Sequence, residues 1–378
     1  MTSPHRLPQS GRPNQLYQLR QPSPLQQTQR AAHLTGSSVR RAGKVLCMLA
    51  LASVVSIIVA CCIGSVPMSV WELGRAAGEL ISGVPVSMNA ALLELRLHRA
   101  LSAFVTGGTL SLAGVLMQAL LRNPLADPYV LGISGGAAVG ALLAMLFCSL
   151  AWMVDLSAFA GAIGVAGLLF ILAYKDFKGS GSSEGSAPLL LLTGVIVASG
   201  CGALVALILS LAPDSRLRSM VFWMIGDLSG TEARYLPWVI LAGVLGCVCY
   251  MARAINVTAL HSDVAGTLGI SVGRLRKLLF FCAALLTASA VSSAGSVGFV
   301  GLIMPHACRF SWGPDHRLLL PAATLAGGGF LVLADTLARS VAAPLQLPVG
   351  VITALIGVPL FLLQLHQLHS LPKRAERK

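Results

Sequence analysis

Charged residues are scarce in this chain. Only 11% of its 378 residues are Asp, Glu, Lys or Arg, whereas 55% are hydrophobic and the mean hydropathy is +0.78. About a quarter of the residues in an ordinary soluble domain are charged. The composition therefore excludes a soluble globular protein of the usual kind and indicates a protein of the lipid bilayer.

Sequence motifs for enzyme and metal chemistry are also absent. The chain has no GxxxxGK[ST] motif, so it lacks the usual loop that cradles nucleotide phosphates. Its nine cysteines include no CxxC pair, which predicts small packing groups rather than metal ligands. His366 and His369 have the spacing of two ligands but no third beside them, so no metal site is predicted. We find no nucleophile–base pattern and predict no catalytic residue.

Long apolar runs are what the chain has in quantity. Crossing about 30 Å of hydrocarbon takes about 20 apolar residues in a helix, and charge-free runs of that length recur along the sequence. We therefore predict an all-α polytopic membrane protein with ten transmembrane helices. The predicted helices are 45–64, 99–120, 130–150, 156–174, 188–211, 236–255, 275–293, 297–310, 318–339 and 349–367.

The run 278–308 determines the predicted number of crossings. As one helix it would extend about 46 Å, which is too long for one crossing and too short for two full ones. Its glycine-containing centre, 292–298, predicts a break. Two crossings also keep Arg309, Arg317 and the basic C-terminal tail on one side. Because short helices at membrane depth need protein around them, we expect 292–310 to be internal.

The net charge of +13 could indicate a nucleic-acid partner, but the distribution of the charges predicts membrane topology instead. With both termini in the cytoplasm, 20 of the 27 Lys and Arg residues lie inside, as the positive-inside rule requires. We therefore predict no nucleic-acid partner. The seven basic residues left outside are Arg75, Arg96, Arg99, Arg216, Arg218, Arg234 and Arg339.

Three regions are predicted along the chain. Residues 1–44 are rich in Gln, Pro, Ser and Arg and are predicted to be a disordered cytoplasmic extension. Residues 45–367 form the ten-helix transmembrane domain, and 368–378 form a basic cytoplasmic tail. The outside connection 212–235 is predicted to hold a short surface helix, and the inside connection 254–277 is the longest on the cytoplasmic side.

A series of ordered motifs then indicates a family. The chain carries Arg96-Leu97-His98-Arg99, Gly114-Val115-Leu116-Met117-Gln118-Ala119, Arg122–Pro128, Leu131–Ala137, Gly298–Arg309, Ala334–Arg339 and Leu347–Gly357. Over about 45–367 this order resembles the permease subunits of bacterial ABC importers for ferric siderophores, haem and vitamin B12, the FecCD/BtuC-type permeases. The family usually has proline where this chain has His98.

The resemblance implies a type II ABC importer permease, a transport subunit and not an enzyme, in the bacterial inner membrane. It implies a homodimer that works with two ATP-binding subunits and a periplasmic substrate-binding protein. The chain itself would bind no cofactor, because ATP and Mg²⁺ would bind to the partner ATPase. The alternative is an ion-coupled secondary transporter, which would need ionisable groups at mid-bilayer, where none of the 14 acidic residues is predicted.

The resemblance also implies three sets of site residues. The inside connection would contain the coupling element that contacts the ATPase; the alternative is an ordinary solvated loop. Asn123 and Leu125 would form a cytoplasmic gate, although Pro124 and Asn123 also suit a rigid turn. The predicted coupling residues are Asp263, Ala265, Gly266, Leu268 and Gly269.

Three arginines at outer helix ends form the last set. These are Arg96, Arg99 and Arg339, which are predicted to lie outside although basic residues are usually inside. A guanidinium group offers a planar fork of donors to carboxylates. We predict that they dock acidic residues of the periplasmic binding protein. The alternative is headgroup anchoring or local pairing, since Arg339 lies four residues after Asp335.

Overall fold

Helices form the regular structure of this protein, here a computed structural model. The structure describes residues 24–64, 66–83, 87–148, 150–174, 186–228, 234–260, 262–343 and 345–370. Within these ranges it has 14 α-helices, a short 3₁₀ helix (Pro128–Leu131) and no strand, which confirms the all-α prediction. The helices are α1 (Pro24–Cys62), α2 (Val70–Ile81), α3 (Met88–Leu121), α4 (Ile133–Phe147), α5 (Ala151–Leu172), α6 (Ser186–Leu211), α7 (Asp214–Ile225), α8 (Leu236–Tyr250), α9 (Ala252–Leu260), α10 (Ser262–Thr267), α11 (Val272–Ala294), α12 (Val300–Trp312), α13 (His316–Ser340) and α14 (Val349–Ser370).

Each of the ten predicted segments contains a helix, but the helices differ in length. Among the described residues, six are long and apolar enough to cross a membrane: α1 over Arg40–Cys62, α3, α5, α6 over Leu189–Leu211, α11 and α13. Helices α8 and α9 make a seventh span if this pair, bent by 62°, is counted as one. Helices α4 and α12 have only 15 and 13 residues. The number of ten crossings therefore stays a prediction.

The chain divides into two units, Met1–Cys47 and Met48–Lys378. In the first unit, residues 24–47 are helical, although the composition of residues 1–44 predicts disorder. Pro24 stands at the first helical position, where its missing N–H costs nothing, and the Leu, Gln, Ala and Arg residues that follow favour helix. Residues 1–23 and 371–378 lie outside the described residues, so the limits of the predicted extension and tail stay predictions.

Helix α3 is the most buried spanning helix of the second unit. In its most apolar window 83% of the residues are buried, against 28% in α5 and 22% in α6. Glycine makes this burial possible, because a Cβ atom on Gly114 would overlap the carbonyl group of Gly301 in α12. Small residues let membrane helices approach closely where no hydrophobic force drives them together. Helices α11, α12 and α13 all pack against α3.

The break predicted within 278–308 is confirmed. Helix α11 ends at Ala294, and α12 begins at Val300 after Phe299, whose φ of 71° interrupts the helical backbone. Val297 and Val300 are both about fully buried, at 1% and 0% exposure, as expected for an internal segment. The surface helix predicted in the outside connection is α7.

Candidate functional site

Asp335 is the centre of a charged cluster at one end of α3 and α13. Its carboxylate accepts hydrogen bonds from Arg99, with Nε 3.1 and 3.0 Å from the two oxygens and Nη2 2.9 Å from Oδ1. Nε of Arg339 lies 3.2 Å from Oδ2 of Asp335, one helical turn away. The local pairing predicted as the alternative role of Arg339 is therefore present. We call Arg96, Arg99, Arg339 and Asp335 the outer arginine cluster.

The other donors of this cluster cap helix α1. Nη2 of Arg339 donates to the carbonyl of Ala60 at 3.1 Å, and Nη1 of Arg96 donates to that of Cys61 at 2.9 Å. The carbonyls of a last helical turn have no partner inside the helix, and cations there also complement the helix dipole. Two arginines from α3 and α13 thus close the end of α1.

These contacts leave little of the outer arginine cluster exposed. Arg96 and Arg339 are 7% and 9% exposed, and the side chain of Arg99 is 12% exposed. Two members also reach exposed neighbours: Nη1 of Arg99 lies 2.9 Å from Oε1 of Gln346, and Nη2 of Arg96 donates to the carbonyl of Val66. The geometry of the isolated chain accounts for these arginines as structural groups, and docking to a partner stays a prediction.

The predicted gate residues form a turn after α3. Oδ1 of Asn123 accepts from the N–H of Leu125 at 2.9 Å, and its carbonyl accepts from the N–H of Ala126 at 3.1 Å. The preceding Arg122 has a left-handed backbone (φ 49°) and donates to the carbonyl of Thr258 at 3.0 Å. A hydrogen-bonded turn is therefore present here, as the alternative expected. Both Asn123 and Leu125 are exposed, so their role in a gate stays a separate prediction.

Asp127 lies in the same connection and caps the 3₁₀ helix. Its Oδ1 accepts from the N–H of Tyr129 at 2.8 Å. Burial raises the pKa of Asp127 to about 6, because the charged form loses its hydration, while this hydrogen bond works in the opposite direction. The carboxyl group therefore has a structural, hydrogen-bonded role in this turn. His306 differs, because its Nδ1 has no partner within the described residues.

The inside connection 254–277, which carries the predicted coupling residues, includes two short helices, α9 and α10, rather than an open loop. Helix α10 ends in a Schellman motif: the N–H of Ile270 donates to Ala265 at 3.0 Å, and the N–H of Gly269 donates to Gly266 at 3.1 Å. Gly269 has a φ of 77°, which disfavours other residues. Ala265 is fully buried and Leu268 is 63% exposed. The side chain of Asp263 lies outside the described residues.

Charged residues line two cavities that the sequence did not predict. One, of about 400 Å³, lies beside α7 and contains the ion pair between Arg234 and Asp155, 2.6 Å apart. The other, of about 590 Å³, contains Arg122 and Arg309. From the sequence, these basic residues indicate only membrane topology. They come together from helices far apart in the chain, and such contacts leave no local sequence pattern. No group of three His, Cys, Asp or Glu side chains suited to a metal ion occurs within the ranges that the structure describes.

Residues 49–367 match the model of the FecCD transport family. YvrB of Bacillus subtilis, an uncharacterised ABC transporter permease protein, is 39% identical over 307 residues, which are 79% of this chain and 84% of that protein. The cobalamin import system permease protein BtuC of Halobacterium salinarum is 39% identical over 304 residues, 79% of each chain. The hemin transport system permease protein HmuU of Yersinia pestis is 38% identical over 281 residues, 71% of this chain and 81% of that protein.

The fold is similar to solved transporter structures. An inward-facing conformation of a transporter assigned to the metal-chelate type of ABC transporter has a TM-score of 0.74 and 29% identity, over 86% of this chain and 99% of that one. PsaBC from Streptococcus pneumoniae in complex with Fab has a TM-score of 0.52 and 18% identity, over 76% and 95%, and supports the fold alone. The chain belongs to the FecCD transport family of ABC transporter permeases.

Proposed function

We propose that this chain is the inner-membrane permease of an ABC importer that carries a metal chelate of the cobalamin, haem and ferric siderophore class. The match of residues 49–367 to the FecCD family carries this proposal. The relatives named as cobalamin and hemin permeases support the cargo class. The ion-coupled secondary transporter has no comparable support.

The proposed assembly contains two copies of this chain, two ATP-binding subunits and a periplasmic binding protein. A separate ATPase is proposed because the sequence has no phosphate-binding loop, so ATP and Mg²⁺ would bind there and no cofactor would bind to this chain. The excess of basic residues on the predicted inside supports two cytoplasmic termini.

Helix α10 and its C-terminal turn form the proposed contact with the ATPase. Leu268 is exposed, and a Cβ atom on Gly266 or Gly269 would meet nothing within 4 Å, so this surface is open for a partner. The Schellman motif satisfies the last carbonyl groups of this short helix and so defines where it ends. Movement of the ATPases on ATP binding would then shift α10 and open or close the turn at Asn123 and Leu125.

Docking of the binding protein is proposed at the outer arginine cluster, through its least buried member, Arg99. We expect Arg99→Glu to weaken association in a pull-down at low salt, since a carboxylate there would repel acidic groups of the partner. The control is Arg75→Glu, an exposed outer arginine that stacks on Trp71 at 5.5 Å. Equal association of a folded Arg99→Glu protein and the wild type would contradict this role.

Uptake in cells tests the proposed function directly. Labelled cobalamin, a ferric siderophore and haem are supplied to cells with and without the gene, before and after ATP depletion. Loss of one uptake activity on deletion, with matching ATP dependence, would support the importer and identify its cargo. Uptake that persists without ATP and collapses with the proton gradient would favour the secondary transporter.

A further inference from the structure

Helix α2 lies beside the end of the spanning part of α1. One apolar cluster joins Ala76 of α2 to Cys61 of α1 and to Ala90 of α3, and Ile57 of α1 packs against it. Ile57 and Cys61 lie in the last two turns of the apolar span of α1, which ends at Cys62. Because a helix rises about 1.5 Å per residue, this contact places α2 within about 10 Å of the end of that span. Helix α2 therefore lies where hydrocarbon, lipid headgroups and water meet.

The surface of α2 divides into three strips, since successive positions of a helix are about 100° apart around its axis. An inner strip packs against the cluster with α1 and α3, and it consists of Leu73, Ala76, Ala77 and Leu80. A second strip carries all the charges of the helix, on Glu72, Arg75 and Glu79. The third strip has no charge and contains Val70, Trp71, Gly74, Gly78 and Ile81. We call this third set the apolar strip of α2.

The apolar strip is open in the described chain. Val70, Trp71 and Ile81 are 74%, 72% and 87% exposed. A Cβ atom on Gly74 or Gly78 would meet nothing within 4 Å, so the space over the centre of the strip is also free. Three large apolar side chains on one face of a 12-residue helix form a patch of the kind that marks a contact surface. The strip is therefore suited to an apolar neighbour outside the chain.

Trp71 and Arg75 indicate that this neighbour is lipid. The guanidinium carbon of Arg75 lies 5.5 Å from the centre of the Trp71 ring, at the border between the charged strip and the apolar strip. Tryptophan is enriched where a membrane meets water, because its ring is apolar and its N–H is polar. A helix with separate apolar and charged faces lies in this zone with the apolar face about 5–10 Å deep. The position of α2 beside the last turns of α1 brings the same zone within its reach.

Helix α2 is already formed in the absence of lipid. Its N-terminus is closed by a capping box, in which the N–H of Ser69 donates to Glu72 at 2.8 Å and the N–H of Glu72 donates to Oγ of Ser69 at 3.3 Å. A helix of this length is only marginally stable by itself in water. The cap and the inner strip stabilise it within this protein, so contact with lipid requires no folding of the segment.

We propose that α2 is an interfacial anchor, which inserts Val70, Trp71 and Ile81 into the lipid leaflet at this end of α1. Arg75 lies at the level of the phosphate groups, and Glu72 and Glu79 face water. The anchor fixes the connection between α1 and α3 at the membrane surface. It depends on the membrane-spanning fold alone and is independent of the cargo.

Fluorescence quenching by lipid tests this proposal on the full-length permease in phosphatidylcholine vesicles. Bromine on the acyl chains quenches a tryptophan that touches them, and iodide quenches one that faces water. The Trp71 signal is the difference between the wild type and Trp71→Phe. Bromine near the headgroup end of the chains is expected to remove about half or more of this signal, because the ring lies within the upper ~10 Å of the leaflet. Iodide is expected to have little effect.

Trp223 provides the matched control. It is half-buried on α7, the other outer helix of 12 residues, and lines the cavity of about 400 Å³. The signal lost in Trp223→Phe is expected to be quenched less by the brominated lipid than the signal of Trp71. Equal quenching of the two signals would overturn the proposal.

A charge in the apolar strip tests the strip itself. Ile81→Glu disturbs little packing within the chain, because Ile81 is 87% exposed. It is expected to lower the bromine quenching of Trp71 about twofold, since a carboxylate is costly in lipid, whereas Ile81→Leu is expected to retain the wild-type value. Unchanged quenching in Ile81→Glu would overturn the proposal. Quenching of Trp71 by iodide alone would place the strip in water, and protection from both quenchers would place protein on it; either result would also overturn the proposal.

Discussion

Asp335 neutralises arginines from two helices while its own side chain is only 1% exposed. Charges taken out of water are tolerated where the geometry is good and the remaining donors are used. Here Nε and Nη2 of Arg99 both donate to Asp335. Nη2 of Arg339 donates to the carbonyl of Ala60 at the end of α1. At the scale of single residues, the outer cations therefore serve the packing of three helices.

Replacing Asp335 with Asn is the sharpest test of this role. Asp335→Asn leaves Arg99 and Arg339 without a counter-charge, and we expect it to destabilise the fold by about 3 kcal/mol or more. The measurement is the thermal or denaturant unfolding of the purified permease. Glu94→Gln removes an exposed acidic residue of α3, the helix that carries Arg96 and Arg99, and serves as the control. Unfolding of Asp335→Asn at the wild-type midpoint would show that Asp335 does not stabilise the fold through the outer arginine cluster.

The raised pKa of Asp127 predicts how the stability of the fold depends on pH. Because burial raises its pKa to about 6, the folded protein keeps a proton that the unfolded chain releases from about pH 4 upward. The folded state binds more protons in that window, so stability falls as the pH rises through it.

Asp127→Asn is expected to remove this decline and to be more stable than the wild type at pH 7.5, by on the order of 2 kcal/mol. Asn is neutral and still accepts the N–H of Tyr129. The measurement is the unfolding midpoint of both proteins between pH 4 and pH 7.5. Parallel curves for the two proteins would show that Asp127 does not titrate in this window.

At the scale of elements, α10 shows how one glycine fixes the end of a helix. Gly269→Ala places a Cβ at a φ of 77° and is expected to cost about 1 kcal/mol of local stability. We expect faster hydrogen exchange over 262–270 and weaker coupling of ATP hydrolysis to transport in the complete importer. The control is Gly243→Ala on α8, whose Cβ also meets open space and which lies outside the proposed contact. Equal loss of coupling in both variants would contradict the capping argument.

Elements were more predictable from the sequence than contacts between them. The break before Phe299 and the helix α7 follow from run lengths, glycine and loop composition, all of which are local. The i,i+4 pairing of Arg339 with Asp335 is also local and was foreseen. Arg99 reaches the same carboxylate across 236 positions, and Arg309 and Arg122 line one cavity only in the folded bundle, so no sequence pattern could predict either.

At the scale of the whole molecule, α6 is the least buried of the six long apolar helices among the described residues. Only 22% of its apolar window is buried, and a Cβ on Gly200 would meet nothing within 4 Å. We expect the exposed face of α6 to lie at the partner or along the substrate path if the proposed homodimer forms. Lipid alone covers it in a monomer.

A glycine-to-tryptophan substitution can distinguish a face of α6 that contacts protein or substrate from one that contacts only lipid. Gly200→Trp is expected to reduce both the dimer fraction in light scattering and substrate uptake, because overpacking a tight contact is costly. Gly164→Trp on α5 is the matched control, at another exposed helix with open space around its glycine. Wild-type dimer fraction and uptake in Gly200→Trp would exclude α6 from the interface and the path.

The outer arginine cluster also has a consequence for biosynthesis. Arg96 and Arg99 leave the ribosome early, whereas Asp335 and Arg339 are made more than 230 residues later. Until α13 is inserted, Arg99 lacks its counter-ion and the carbonyl of Ala60 lacks the donor supplied by Arg339. A nascent or truncated chain that stops before α13 thus carries an uncompensated charge on Arg99 and an end of α1 without one of its capping donors.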